Sequence, residues 1–203
     1  MRILNIIFDL GGVIVDLDMS RTFHAFNRFF GESAVELENG YLKSKVLRQY
    51  ETGAIDTETF LSELLQLAKN GESRGDIVAA WNAMLVRIPE ERLRMLEQLR
   101  QSHRIFILSN TNELHEDYFE KMAPGYDRLS DLFEKAYYSH RIGCRKPDSD
   151  AFKAVLADSG LRAEETLFVD DLADNISTAK KLNFQTLHIT QGMEVSNILK
   201  TFL

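Results

Sequence analysis

One stretch constrains this chain more than any other: residues 3–14, Ile-Leu-Asn-Ile-Ile-Phe-Asp-Leu-Gly-Gly-Val-Ile. Five of the six residues before Asp9 are apolar, and they are β-branched or bulky. Such a run reads as a strand buried on both faces, the habit of a central strand in a parallel sheet. Asp9 ends it, and a carboxylate has no reason to interrupt so apolar a run unless its charge is used there. Gly11 and Gly12 follow and let the backbone turn tightly and approach a ligand closely. In open α/β sheets ligands sit at the carboxyl ends of the strands. The plainer alternative is a strand and a turn, with Asp9 as a turn residue.

The rest of the chain divides in two. From about Asp16 to Val86 the pattern is helical. Ser20 can cap a helix whose apolar positions are Phe23, Phe26, Phe29 and Phe30, ending at Gly31. Ser33 with Glu36 has the form of a capping box, and a run over 41–50 stops near Gly53. Asp56 can cap a helix with Phe60, Leu61, Leu64 and Leu65 on one face, and Ile77, Trp81, Met84 and Leu85 fall together at helical spacing. The phenylalanines and Trp81 read as core between these helices rather than as a cofactor pocket, because apolar periodicity reports a buried face. From Pro89 onward a helix over 90–102 is followed by strands over 104–109, 135–139, 166–170 and 185–190. These alternate with helices around 113–122, 149–159 and 173–182, and a weak helix ends the chain. Strand–helix alternation means right-handed crossovers and a parallel sheet with helices on both faces. The expected architecture is a Rossmann-like α/β core from residues 1–15 and 87–203, with an all-helical cap, residues 16–86, inserted into it.

Parallel strands place their C-terminal ends on one edge of the sheet, and the polar residues stand there. Asp9 ends the first strand, Ser109-Asn110 the second and Asp170-Asp171 the fourth; Lys146, in Gly-Cys-Arg-Lys-Pro, lies between the third strand and the next helix. Three carboxylates, a hydroxyl, an amide and an ammonium on one rim need a common explanation. Hard oxygen ligands with waters suit magnesium. A hydroxyl, backbone amides and a lysine suit a phosphoryl group, and a carboxylate can attack phosphorus to form an aspartyl-phosphate. Taken singly, each residue has a plainer reading: Asp170-Asp171 as a helix cap, Lys146 before Pro147 as a turn residue, Ser109-Asn110 as ordinary turn polarity. His115 follows Ser109 closely enough to face the site, and a solvated helix position explains it as well. Arg48, Tyr50 and Glu51, just before Gly53, can dip toward a substrate or form a surface turn. Cys144 has no partner at metal spacing and the five histidines form no i, i+4 pair, which argues against a zinc site.

In this order, Asp9-Leu-Gly-Gly-Val, Ser109-Asn, Lys146-Pro and Asp170-Asp-x-x-x-Asn175 resemble the four motifs of the haloacid dehalogenase superfamily, and the helical block resembles that superfamily's cap. More closely, Asp-Leu-Gly-Gly-Val, Ser-Asn-Thr-Asn-x-Leu-His and Arg-Lys-Pro resemble a bacterial subgroup of small sugar-phosphate phosphatases with an Asp-Leu-Gly-Asn-Val motif. The resemblance implies Asp9 as nucleophile and magnesium ligand, joined by the Gly11 carbonyl, by Asp171, and by Asp170 directly or through water. It implies that Asn175 orients the acidic pair. It also implies that Ser109, the Asn110 amide, Lys146 and the Gly11-Gly12 turn face the phosphoryl group. One position departs from the pattern. Most phosphatases of the superfamily carry a second Asp two residues after the first, which protonates the leaving oxygen and later activates water; here that position is Gly11. General acid–base help is worth about 10²–10⁴-fold. The expectation is therefore a slow enzyme or a good leaving group, unless Asp16, Asp18, His115 or a cap residue such as Glu51 substitutes.

Composition bounds the function class. The chain has 203 residues, 44% hydrophobic and 27% charged, which suffices for a packed core. A net charge of −7 argues against a general nucleic-acid binder. A single cysteine excludes an intramolecular disulfide framework and suits a reducing compartment. The opening apolar run carries Asp9 and no small-residue cleavage pattern, so it is a poor signal peptide, and no run approaches the roughly 18 apolar residues that span a bilayer. The expectation is a cytoplasmic protein, monomeric or weakly homo-oligomeric, with no nucleic-acid or membrane partner. Its expected activity is magnesium-dependent hydrolysis of a small phosphate ester, a sugar phosphate first, through an aspartyl-phosphate. A 2-haloacid dehalogenase would use the same carboxylate without a metal, but the Asp170-Asp171 pair beside it calls for a cation. A non-catalytic phospholigand-binding protein is the other alternative, raised by Gly11.

Overall fold

The computed structural model describes residues 2–30, 45–68 and 71–202. Along the chain the elements are β1 (Asn5–Phe8), β2 (Asp16–Leu17), α1 (Met19–Phe30), α2 (Lys45–Glu51), α3 (Thr57–Leu67), α4 (Arg74–Asn82) and β3 (Leu85–Arg87). They continue with α5 (Glu90–Leu99), β4 (Arg104–Ser109), α6 (Glu113–Phe119), β5 (Lys135–Tyr138), α7 (Ser139–Ile142) and α8 (Ser149–Ser159). β6 (Thr166–Asp170), α9 (Ala173–Lys181), β7 (Gln185–His188) and α10 (Val195–Phe202) complete the chain.

The apolar run forms β1 with all four residues buried. It is the central strand of a five-stranded parallel sheet of order β5-β4-β1-β6-β7. Phe8 stands opposite Ile107 on one side and Val169 on the other. The period of two along each strand divides the core into two layers. Ile6, Phe8, Ile105, Ile107, Leu167 and Val169 pack against Leu93 and Leu96 of α5 and Val195 and Leu199 of α10. Ile7, Phe106, Leu108 and Phe168 pack on the other face against Phe152 and Val155 of α8 and Ile176 and Ala179 of α9. The chain goes from β1 to β4 and β5 on one side, then to β6 and β7 on the other, so the sheet has its topological switch point at β1. Such a fold opens its crevice at the C-terminal ends of the strands flanking that point.

Helices α1–α4 enclose a hydrophobic cluster of their own, with Phe26, Phe30, Tyr50, Phe60, Leu64 and Trp81 at its centre. Local signals start these helices. Asp56 accepts from the Thr59 amide at 2.8 Å ahead of α3, and Ser73 forms a capping box with Asp76 ahead of α4. Before α1 the cap is Asp18 rather than Ser20: its Oδ1 accepts from the Ser20 amide at 3.1 Å. The Ser33–Glu36 box and the start of the 41–50 run lie outside the described residues.

The sequence pattern predicts an all-helical block, and the structure corrects this. β2 pairs antiparallel with β3, so the chain enters and leaves the block side by side. Leu85 lies in β3 rather than on the last helix, which stops at Asn82. Strands this short are below the length at which alternation separates a strand from a helix. No helix of the described residues is long and apolar enough to cross a membrane.

Candidate active site

The β1–β6 ladder continues one residue past β1: the Asp9 amide donates to the Val169 carbonyl at 2.9 Å. Asp170 closes β6 two places after Phe168 and so projects from the same face. Lys146 reaches both acids from the loop between α7 and α8. Its Nζ lies 2.9 Å from Asp9 Oδ1 and 2.6 Å from Asp170 Oδ2, above the Phe168 ring. The lysine side chain is 1% exposed and that of Asp170 0%. A buried ammonium persists only where carboxylates offset its lost hydration. Burial would push Lys146 down; Asp9 and Asp170 outweigh it, and the group titrates above the ordinary lysine range.

Asp170 has several partners. Its Oδ1 accepts from the Leu172 amide at 2.8 Å and from Asn175 Nδ2 at 2.9 Å, and its Oδ2 accepts from Asn175 at 3.0 Å besides Lys146. Asn175 therefore fixes Asp170 rather than the acidic pair as a whole. Asn110 does the same for the lysine loop: its Nδ2 donates to the Lys146 carbonyl at 2.7 Å, and its Oδ1 accepts from the Lys146 amide at 2.8 Å. With that side chain committed, the buried Ser109 hydroxyl and the backbone amides of the turn are what the end of β4 offers a ligand.

Asp9, Asp170 and Asp171 each bring a carboxylate oxygen within 4.8 Å of the others. His188 Nε2 donates to the Asp171 backbone carbonyl at 2.9 Å, and among the described residues no side chain hydrogen-bonds the Asp171 carboxylate. Gly12, at φ 73°, lies against it; a Cβ there would sit 2.6 Å from Asp171 Oδ2. Three carboxylates against one ammonium leave excess negative charge. Burial pushes Asp9 up to about 7, with Lys146 opposing and Asp170 and Asp171 adding to the rise. Burial, then Asp170, likewise raises Asp171. Hard oxygen donors crowded in this way fit a small divalent cation.

Beside this edge lies a cavity of about 190 Å³. Leu10, Gly11, Ser109 and Asn110 line it from the sheet, and Leu47, Glu51, Trp81 and Met84 from the helical block. Among Arg48, Tyr50 and Glu51, Glu51 alone reaches it. Arg48 pairs with Asp148 at 3.3 Å, and the Tyr50 hydroxyl accepts from the Leu114 amide at 3.2 Å. Glu51 Oε2 is held by Arg145 at 3.0 Å; burial raises its carboxyl pKa, against the pull of that arginine.

His115 lines the cavity rather than a solvated face. Its ring stacks on Trp81 at 5.0 Å. Nε2 faces the Trp81 carbonyl at 3.2 Å, which puts the proton there, and Nδ1 accepts from Asn112 at 3.2 Å. Burial pushes its pKa down to about 4, so the ring is neutral at pH 7. Asp16 is paired with Arg87 and Arg92, each at 3.0 Å. Asp18 is held low by Ser20, with Arg21 assisting. Cys144 is a free thiol that burial pushes up.

Residues 3–183 match the family described as haloacid dehalogenase-like hydrolase. The D-ribitol-5-phosphate phosphatase of Bacteroides thetaiotaomicron is 30% identical over 196 residues, 95% of this chain and 94% of that one. A HAD family enzyme of the same organism, solved in complex with magnesium and inorganic phosphate, superposes with a TM-score of 0.89 at 32% identity, over 97% of this chain and 98% of that one. A HAD-like family hydrolase from Porphyromonas gingivalis superposes with a TM-score of 0.90 at 30% identity, over 100% and 98%. The match takes in β1 with its terminal acid, the lysine loop and the acidic pair after β6, and this chain belongs to the haloacid dehalogenase-like hydrolase family.

Proposed function

We propose that this chain is a magnesium-dependent phosphatase that hydrolyses a small phosphate monoester through an aspartyl-phosphate on Asp9. The observation that carries the reading is the set Asp9, Asp170 and Asp171, with oxygens within 4.8 Å of one another and one buried ammonium among them. An acidic cluster of this kind disfavours a metal-free dehalogenase. Magnesium would be held by Asp9, the Gly11 carbonyl and Asp171, with Asp170 directly or through water, and it supplies the positive charge that lets an anionic carboxylate meet an anionic phosphate. Asp9 attacks phosphorus. Lys146 neutralises charge on the attacking carboxylate and on the phosphoryl group. The Ser109 hydroxyl, the Asn110 amide and the Gly11 amide hold phosphoryl oxygens, the Gly12 amide being given to the Val15 carbonyl at 2.9 Å, and such a site works by positioning and charge stabilisation.

Residues 16–86 act as a cap that closes over the substrate and excludes bulk water. The pairs Glu51–Arg145 and Arg48–Asp148 support this, because each joins α2 to the lysine loop. A cavity of about 190 Å³ beside the site, against the ~150 Å³ that takes a benzene ring, has room for a small leaving group. A sugar or polyol phosphate is the first candidate, supported by the activity named for the 30% identical relative. The protein acts in the cytoplasm as a monomer or weak homo-oligomer.

The test is phosphate release by the purified protein from a panel of phosphorylated metabolites and 4-nitrophenyl phosphate, with magnesium and with EDTA. Release is expected only with magnesium, and Asp9→Asn removes it while the fold survives. Near wild-type turnover by Asp9→Asn would overturn the reading.

A further inference from the structure

We propose that Glu51 is the proton donor to the leaving alcohol and the base that activates water, in place of the acid absent at Gly11. The inference rests on the phosphatase reading above and adds the group which that reading lacks.

Five observations carry it. Glu51 is the one carboxylate among the described residues that line the cavity, and it shares that lining with Gly11, Ser109 and Asn110, where the phosphoryl group would sit. Arg145 holds its Oε2, and among the described residues no group bonds Oε1. Arg145 immediately precedes Lys146, so one loop supports both the lysine on Asp9 and the arginine that aims Glu51. Gly53, at φ 67°, brings the turn after α2 against the His140 carbonyl of α7, in a contact too close for any side chain; this holds the end of α2 on the core. Finally, the other candidates are committed. Asp16 pairs with two arginines, Asp18 caps α1, and the single N–H of neutral His115 is given to Trp81. Burial raises the Glu51 carboxyl pKa against the pull of Arg145, the direction that favours proton donation.

The steps balance. In the first, Asp9 forms a bond to phosphorus, the ester P–O bond breaks, and the Glu51 carboxyl proton goes to the departing oxygen, giving the alcohol. In the second, Glu51 carboxylate takes a proton from water, the water oxygen bonds to phosphorus, and the bond to Asp9 breaks. Inorganic phosphate leaves, Asp9 is a carboxylate again and Glu51 a carboxylic acid.

The experiment compares wild type with Glu51→Gln and Glu51→Asp on two phosphates of similar size with magnesium present: 4-nitrophenyl phosphate, a good leaving group, and benzyl phosphate, a poor one. The ratio of the two rates within one preparation is independent of the folded fraction. Alcohol release in the first turnover reads the first step alone: there Glu51→Gln is expected to cut the benzyl rate about 10²-fold or more and the 4-nitrophenyl rate only about threefold, the range of general acid catalysis, while steady-state turnover falls on both esters because water activation is common to them. Glu51→Asp, which keeps the acid, recovers part of the benzyl rate. Equal first-turnover losses on both esters would mean that Glu51 only holds α2 in place, and would overturn the proposal. So would an unchanged ratio, or a wild-type ratio already as low as that of Glu51→Gln. If wild type releases nothing from 4-nitrophenyl phosphate, or Asp9→Asn keeps its rate, the phosphatase reading itself fails, and the role of Glu51 falls with it.

Discussion

Leu17 occupies the space that a side chain on Gly11 would enter: a Cβ built there lies 2.6 Å from Leu17 Cδ1. Pairing of β2 with β3 sets Leu17 opposite Leu85 and holds it over the turn after β1. Gly11 is not among the residues with positive φ, so its backbone accepts a side chain. The obstacle is the end of one flexible, 41% exposed leucine.

The first consequence concerns restoring an acid at that position. Gly11→Asp combined with Leu17→Ala places a carboxyl two residues after Asp9 with room to stand. In the Glu51→Gln background this pair is expected to raise the benzyl phosphate rate at least about tenfold, a fraction of the 10²–10⁴ that acid catalysis supplies. The first-turnover release of 4-nitrophenol changes little. Gly11→Asp alone gains less, because Leu17 must first move. Equal gains with and without Leu17→Ala would show that the leucine does not govern the position.

The charge imbalance at Asp9 predicts how the metal-free protein responds to pH. Its carboxyl ordinarily titrates at 3.8 and in the folded protein at about 7, chiefly through burial. The folded state therefore binds this proton more tightly than the unfolded one. The group's contribution to stability is full below the unfolded value and is lost as pH rises through the folded one, on the order of 4 kcal/mol for a shift of this size. In EDTA, Tm is expected to fall between pH 5 and pH 8; Asp9→Asn flattens that fall, and magnesium restores Tm most at pH 8. Thermal unfolding of both proteins across this range checks it. A decline of the same steepness in Asp9→Asn would place the imbalance on other groups.

The parts of this site that were legible in the sequence are those fixed by strand ends. An apolar run that stops at an acid determines where Asp9 stands, and parallel alternation brings Asp170 beside it with Lys146 between them. The rest depends on partners far along the chain. The Asn110 side chain looks free for a phosphate until it is seen clasping the Lys146 backbone, 36 residues on. Asp16, Asp18, His115 and Glu51 were equal candidates for the missing acid. Arg87, 71 residues after Asp16, and Trp81, 34 before His115, are what remove two of them. The β2–β3 ribbon carried no usable pattern, since its strands have two and three residues. A signal for Glu51 was present, in the arginine next to Lys146, but only the fold shows that α2 ends beside that loop.

The two adjacent glycines separate metal binding from mere crowding. Gly12 has φ 73°, where an L side chain costs about 1–2 kcal/mol. A Cβ there meets Asp171 Oδ2 at 2.6 Å and its carboxyl carbon at 3.0 Å, so an added methyl must push that carboxylate off its line with Asp9. At Gly11 the φ is ordinary, and the methyl meets only the tip of Leu17. Gly12→Ala is expected to lower Tm in EDTA modestly and to abolish most of the Tm gain that magnesium gives wild type, with phosphate release down by about two orders of magnitude, as for loss of one electrostatic stabiliser. Gly11→Ala keeps the magnesium-induced gain and most of the activity. If Gly12→Ala retains the full magnesium-induced Tm shift while losing activity, the glycine serves the phosphoryl group and not the metal. If both variants retain shift and activity alike, the carboxylate of Asp171 does not need the place it holds.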